Sequence, residues 1–332
     1  MKRRATVRSL AKINLDLRVL HKNPDGFHDL RTVFQTVSLH DTIEIEFEAA
    51  RRLQLSIDDP DAIPDNLILR AARAALEAMG IAARVHFRLI KRIPMGGGLG
   101  GGSSNAAAVL LALPVLAGRP LPMEERLQIA ASLGSDVPFF LLGGTAVGLG
   151  RGTELYPLGD IAPEPLLIVS PGLHIATPEA YRALHRSLTF TESSSSINNF
   201  QSYVRALIEE RSAGAASALG VNDFEAAVSS QYPQLKTMMG KLSKLDAAGV
   251  RMTGSGSSVF AIFGSRGERD RARKVLLGDR VFEGFRLLAA SLVSRAGYRR
   301  LWRRQLIEHV GPRENAWPPH SQLETRGRYD KR

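Results

Sequence analysis

ARVHFRLIKRIPMGGGLGGGSSNAAAVLLALPVLA, residues 83–117, holds a strand, a turn built of glycine and a helix, in that order. Val85, Phe87 and Leu89 fall in step over Ala83–Ile90, the period of a half-buried strand. Pro94 stops it. Six glycines then occupy seven positions, Gly96, Gly97, Gly98, Gly100, Gly101 and Gly102 around Leu99, and Ser103 or Ser104 caps an apolar helix over Asn105–Ala117. So much glycine costs conformational entropy on ordering, and a stable fold tolerates it where backbone must come close to a ligand. The helix behind the loop presents unpaired N–H groups and the positive end of its dipole, so loop and helix together make an anion cradle. Ser103 and Ser104 can cap the helix, bond a phosphate oxygen or meet a phosphate-bound Mg²⁺. A Walker P-loop needs Gly-Lys-Ser/Thr here, and no lysine is present. Gly96, Gly98 and Gly101 match a dinucleotide fingerprint formally, but such a match alone is weak. A plain glycine linker would not be bracketed by a strand, a proline stop and a capped apolar helix.

Outward from the loop, strands and helices mix without strict alternation. Strands are expected at Ala5–Val19, Leu30–Ser38, Asp41–Phe47, Thr145–Gly150, Pro165–Val169, Gly249–Met252, Ser258–Phe263 and Leu287–Ser294. Helices are expected at Asp65–Met79 with Asp65 as N-cap, and at Met123–Leu133, Val137–Leu142, Ala226–Ser230, Pro233–Leu245 and Arg269–Leu277. Thr189–Asn199 reads as a mobile polar loop. The fold class is therefore α+β, in two domains spanning residues 1–160 and 161–297, followed by a basic, mobile tail over 298–332.

The 332 residues suffice for two cores, and 44% hydrophobic with 23% charged residues is ordinary for a globular protein. The absence of cysteine excludes disulfides, thiolate metal sites and cysteine nucleophiles. The basic N-terminus lacks the apolar core of a secretory signal, and the longest apolar stretch, Val137–Gly150, is too short to span a bilayer. The chain reads as cytoplasmic, with no membrane partner. Its net charge is +11, of which the last 38 residues carry ten Lys/Arg against four Asp/Glu. The mildly basic body suits an anionic ligand such as a nucleotide. The tail suits nucleic acid or acidic lipid, or is simply a solvated terminus. No basic-aromatic module makes nucleic acid the expected main partner.

Lys12 and Asn14 share the polar face of the first strand and can reach one site, although a strand-face lysine usually snorkels to water. Asp136 stands at a helix start in Gly134–Phe140, where a capping carboxylate is the ordinary reading, with a stabilisation of roughly 1 kcal/mol. Phe27 and Tyr181 read by themselves as core aromatics, and His28 as an incidental loop residue.

Pro94–Ala107, PMGGGLGGGSSNAA, closely resembles the second signature of the GHMP kinases, the galacto-, homoserine, mevalonate and phosphomevalonate kinases and their relatives. Ala11-Lys12-Ile13-Asn14-Leu15 resembles the first signature, and Thr253–Phe260, TGSGSSVF, the third. The resemblance extends over roughly residues 5–295. It implies a two-domain fold with ATP at the domain interface and Mg²⁺ beside it, the loop residues Pro94–Ser104 (Met95 included) holding the phosphates. Asp136 then takes the proton of the acceptor alcohol or orients it. Lys12 holds Asp136 ionised and helps neutralise the γ-phosphoryl group. Asn66, in Asp65-Asn66-Leu67, and Lys91 become candidates for the nucleotide side. Asp25-Gly26-Phe27-His28 resembles a cytidine-recognition segment, with Tyr181 in Thr177-Pro178-Glu179-Ala180-Tyr181 as the second aromatic. Asn14, Phe27, His28, Thr177 and Tyr181 are thus the acceptor-binding candidates, and a cytidine-bearing alcohol the expected acceptor. A kinase of the mevalonate or homoserine type is the alternative; such acceptors carry no base to stack.

Overall fold

The computed structural model describes residues 2–184, 194–217, 220–311 and 317–323. The first half runs β1 (Lys2–Lys22), β2 (His28–Ala49), β3 (Gln54–Asp58), α1 (Leu67–Ala78), β4 (Ala83–Ile90), α2 (Gly101–Ala117), α3 (Met123–Leu133), α4 (Val137–Leu142), β5 (Thr145–Gly150) and β6 (Glu154–Pro157). The second half adds β7 (Pro165–Ser170), α5 (Thr177–Ala183), α6 (Ser194–Glu210), α7 (Ala213–Ala216), α8 (Phe224–Gln231) and α9 (Pro233–Leu242). It ends with β8 (Gly249–Met252), β9 (Val259–Ile262), α10 (Arg266–Leu277), β10 (Arg286–Ser291) and α11 (Arg295–Gln305). The expected α+β mixture is what forms.

Two sheets organise the chain. In the first, β1 pairs antiparallel along one edge of β2, while β5 (to residues 30–35) and β4 (to residues 42–49) share the other edge. β3 lies parallel to β4, and β6 antiparallel to β5. The second sheet is antiparallel, in the order β10-β7-β9-β8.

The two strands expected at Leu30–Ser38 and Asp41–Phe47 are one strand. A register shift, Leu10 facing His40 but Lys12 facing Thr36, absorbs residues 37–39 without ending it. The bulged residues meet the second sheet: Val37 bridges Leu292, and Ser291 N–H donates to Ser38 Oγ at 3.0 Å. The short strands β3 and β6 carry too little pattern to be read in advance.

β1 threads three cores in succession. Val7 packs among α1, α2 and β4, with Ile45, Phe87, Leu110 and Phe139. Ile13 lies between the sheets with Leu99, Leu166, Phe260 and Leu292. Leu17 and Val19 enter the second core with Val169, Phe224 and Met252. Every residue of α2 from Ser104 to Leu116 is buried. A helix apolar on all sides belongs at the centre of its domain, and its N-terminus therefore opens toward the second half from a fixed axis.

Two expectations fail here. Residues 194–199 of the supposed polar loop belong to α6, while 189–193 fall outside the described residues. The supposed mobile tail begins with α11, whose Tyr298, Trp302 and Leu306 are buried in the first core. Tyr298, Leu301, Trp302 and Leu306 recur at helical spacing, an apolar stripe masked by five arginines on the same helix. Burial of each such side chain stabilises by roughly 1.5–3 kcal/mol. Residues 317–323 also pack back, with Trp317 beside Tyr298 at 5.9 Å between ring centroids. Residues 312–316 and 324–332 of the tail lie outside the described residues.

Candidate active site

α2 starts one turn earlier than its serines suggest. Its N-cap is Gly100, left-handed at φ 68°, and no side chain caps it. Ser104 Oγ donates instead to Leu10 O at 2.6 Å and is buried, whereas Ser103 lines a cavity with Asp136. Positive φ at Gly96, Gly98 and Gly100 alternates with the residues between them. Alternation of that kind turns successive N–H groups toward one concavity, an anion-binding nest.

The loop is fixed from behind by the Thr253–Ser258 turn. Thr253 Oγ1 accepts from Asn14 N–H at 3.1 Å and donates to Gly98 O at 3.2 Å, tying the loop to β1. Ser258 N–H reaches Gly97 O at 3.4 Å. The two glycine turns touch backbone to backbone: a Cβ on Gly98 would overlap the carbonyl of Thr253, and one on Gly254 would stand 3.1 Å from Gly98 Cα.

A buried ionic network supports the start of α2 from below. Asp41, fully buried, accepts from Lys91 Nζ at 2.8 Å, Arg92 N–H at 2.7 Å, Ile93 N–H at 2.8 Å and Asn105 Nδ2 at 3.1 Å. Ser9 Oγ donates to Asn105 Oδ1 at 2.5 Å. Strand β2, the approach to the loop and the first turn of α2 are joined by this one carboxylate.

Lys12 and Asp136 meet at the mouth of the loop. Lys12 Nζ lies 3.4 Å from Asp136 Oδ2 and donates to Asn14 Oδ1 at 2.7 Å. Its stem passes 3.0 Å from where a Gly100 Cβ would stand, and its backbone N–H donates to Leu99 O at 3.0 Å. The lysine side chain is 5% exposed and the aspartate 33%. Asp136 is the N-cap residue of α4, yet its side chain makes no cap hydrogen bond and faces the lysine instead. Asn14 Nδ2 in turn donates to Thr32 Oγ1 at 2.8 Å, which fixes the amide's orientation.

Beside them opens a cavity of about 720 Å³ whose lining includes Phe27, His28, Ser103, Asp136, Thr177 and Tyr181. His28 stacks on Tyr181, ring centroids 4.8 Å apart. Burial and then the charge of Asp136 push the Tyr181 phenol up to about 12, so it stays protonated at neutral pH. Phe27 is 55% exposed and lies under the Arg151 guanidinium, 4.0 Å from the ring centroid, while Arg151 also pairs with Asp25. An aromatic-walled cavity with three cations on its rim (Lys22, Arg151 and Arg182) suits a base carrying phosphate.

Residues 66–144 match the model of the GHMP kinases N terminal domain, and residues 203–279 that of the GHMP kinases C terminal. The 4-diphosphocytidyl-2-C-methyl-D-erythritol kinase of Solibacter usitatus is 49% identical over 326 residues, 96% of this chain and 98% of that protein. The chain belongs to the GHMP kinase family. The Pelotomaculum thermopropionicum 4-diphosphocytidyl-2-C-methyl-D-erythritol kinase is 39% identical over 77% of this GHMP kinase and 88% of its own length. A crystal structure of 4-(cytidine 5'-diphospho)-2C-methyl-D-erythritol kinase superposes with a TM-score of 0.71 at 35% identity, covering 88% of this chain and 99% of that one. A homoserine kinase from Cytophaga hutchinsonii, at 19% identity and TM-score 0.66, shares the fold.

Of the residues expected at the site of this GHMP kinase, Lys12, Asn14, Asp136, Ser103 and Gly96–Gly102 converge at the loop, and Phe27, His28, Thr177 and Tyr181 at the cavity. Asn66, not Asp65, caps α1: its Oδ1 accepts from Ile68 N–H at 3.0 Å and its Nδ2 donates to Asp59 at 2.9 Å. Its neighbour Leu67 borders Gly102, which places Asn66 at the outer end of the loop. Lys91 lies under the loop with its ammonium held by Asp41 and by Ile93 O at 2.7 Å. Pro94 is buried at the loop's base and Met95 exposed on its outside. Sequence reasoning missed Thr253 as the tie between the glycine turns, and Arg151 over Phe27. An arginine between two glycines, Gly150-Arg151-Gly152, directly after a strand was the available signal for the latter.

Proposed function

We propose that this protein transfers the γ-phosphoryl group of ATP to the 2-hydroxyl of 4-diphosphocytidyl-2-C-methyl-D-erythritol, a step of isoprenoid biosynthesis by the non-mevalonate route. The observation that carries the reading is the Lys12–Asp136 pair, set between the glycine loop and the aromatic-walled cavity. The cytosine lies among Phe27, His28 and Tyr181, with the methylerythritol end reaching toward Asp136. The nucleotide phosphates sit in the nest of Gly96–Gly102.

The acceptor hydroxyl is tertiary, on the carbon bearing the methyl branch, so orientation matters more than raw nucleophilicity. Asp136 Oδ accepts that O–H and turns its lone pair toward the γ-phosphorus. A P–O bond forms to the alcohol, the bond to the β,γ-bridging oxygen breaks, ADP leaves and the proton passes to Asp136. Lys12, held by Asn14, sets a positive charge beside the transferred group, and the loop N–H groups receive its equatorial oxygens. Positioning and electrostatic support of this kind account for most of phosphoryl-transfer catalysis.

Among the described residues no three His, Asp or Glu side chains gather into a ready metal cage. Mg²⁺ seldom requires one, because it keeps waters and takes phosphate oxygens with one or two protein ligands. Ser103 Oγ and the Asp136 carboxylate are the donors on this side of the loop that fit it. Mg²⁺ would neutralise charge on the β- and γ-phosphates.

Incubation with Mg-ATP and a panel of alcohols, read by phosphorus NMR, tests the reading. The cytidyl compound should be phosphorylated, and Asp136→Ala should abolish turnover. Turnover of homoserine or mevalonate in its place would refute the assignment of the acceptor.

A further inference from the structure

The segment following β10 grips the helix that carries Asp136. α4 has six residues, too few to hold itself together: isolated helices below about 12–15 residues are marginal in water. The last four carbonyls of any helix also lack intrahelical partners. Here three carbonyls at that end receive side chains from the C-terminal segment. Tyr298 Oη donates to Phe140 O at 2.5 Å, Trp317 Nε1 to Leu141 O at 2.9 Å, and Arg295 Nε to Gly143 O at 3.2 Å. Arg295 continues to Leu158 O and Thr145 O, at 2.8 and 2.5 Å. Its cation lies where a helix dipole favours positive charge.

The fit is close on the receiving side too. Gly143 and Gly144 both have positive φ, and a Cβ on either would strike Tyr298 or Arg295. Burial pushes the Tyr298 phenol up, so its O–H remains a donor over the working pH range. The clamp is itself anchored. Asp160 accepts from Arg295 N–H at 2.6 Å and Ala296 N–H at 3.2 Å, Ser294 caps α11, and the Arg299 guanidinium covers the Trp317 ring at 5.3 Å.

We infer that Tyr298, Trp317 and Arg295 are positioning residues for phosphoryl transfer: they lock the carbonyl end of α4, and so fix where its first residue, Asp136, stands against Lys12. The inference rests on the role proposed above for Asp136. None of the three lines the cavity. Their loss therefore acts on the placement of the carboxylate and not on the binding of either substrate.

The test uses the full chain carrying Tyr298→Phe and Trp317→Phe, singly and together, assayed well below their melting temperatures. Each change keeps an aromatic ring and removes a donor. The double variant is expected to lower kcat about tenfold or more, with KM for ATP and for the alcohol within about twofold of wild type. Introduced into Asp136→Asn, the same double change should lower the residual rate no further, because the group it positions is gone. Unchanged kcat in the double variant would overturn the inference, as would an equal loss in the Asp136→Asn background. If the double variant fails to fold, Tyr298→Phe alone decides by the same two comparisons. Full activity in Asp136→Asn itself would instead refute the mechanism on which the inference rests.

Discussion

Lys12 Nζ stands 3.4 Å from Asp136 Oδ2, beyond the distance of a strong hydrogen bond but within direct attraction, while the same ammonium holds Asn14 at 2.7 Å. Asn14 thus acts as a tether that keeps the lysine from closing fully on the aspartate. Asp136→Asn, which keeps shape and removes the proton acceptor, should lower kcat by about 10²–10⁴-fold. Lys12→Met should cost a comparable factor through lost electrostatic support. A coupled assay of ADP release reads both; a kcat within threefold of wild type in either variant contradicts the assignment.

The loop glycines differ sharply in how they respond to a methyl group. Gly98→Ala places a Cβ against the carbonyl of Thr253 at φ 73°, where a left-handed backbone alone costs roughly 1–2 kcal/mol. Gly102 sits in the first turn of α2 with only Leu67 Cδ1 nearby, at 3.6 Å. Gly98→Ala should lower the melting temperature and raise KM for ATP, while Gly102→Ala should leave the melting temperature equal or higher. Thermal unfolding followed by circular dichroism separates the two.

Asp41 is the sole described charge partner of the nearly buried Lys91. Breaking a buried pair from one side typically costs about 3–5 kcal/mol. Asp41→Ala should therefore destabilise strongly, and Asp41→Ala with Lys91→Met should recover part of the loss. Urea unfolding of the two variants gives the comparison; no recovery in the double variant would mean that the backbone contacts of Asp41, not the ion pair, dominate.

His40 supplies a pH dependence of known sign. Burial, with Arg8 and Arg92 adding to it, holds its imidazole below the ordinary 6.5, although its contacts with Ser38 O and Asp41 pull the other way. The folded state therefore binds a proton less readily than the unfolded one. The stabilisation is complete above pH 6.5 and is lost as pH falls through the folded value. Between about pH 7.5 and 5, the wild-type melting temperature should fall more steeply than that of His40→Gln. Parallel curves would exclude His40 as the source.

The parts of this molecule that were legible in sequence are those where one local pattern had one physical meaning. The strand-glycine-helix passage at residues 83–117 is such a case, and so are Lys12 and Asn14, two apart on one strand face. The joins are what the pattern concealed. The continuity of β2 through Val37–Leu39 depends on contacts with β10, some 250 residues away. The docking of α11 was hidden because charge was weighed before periodicity. Thr253 looked like part of a hairpin turn until Gly98 was placed against it, and the aromatic cavity needed Phe27 and Tyr181, from opposite halves, in one frame.

β1 has a consequence for how the protein comes into being. Its first residues dock against the last helix: Arg8 N–H donates to Gln305 Oε1 at 2.8 Å, and His309 Nε2 meets Arg4 O at 2.7 Å. Its far end is covered only by strands made after residue 165. At about 5–20 residues per second of synthesis, the strand bearing Lys12 waits on the order of 15–60 s at the ribosome before its cover exists. A chain cut short before residue 295 leaves that strand, and the catalytic lysine on it, with neighbours on one side alone. Completion of the polypeptide and completion of the active site are, in this kinase, nearly the same event.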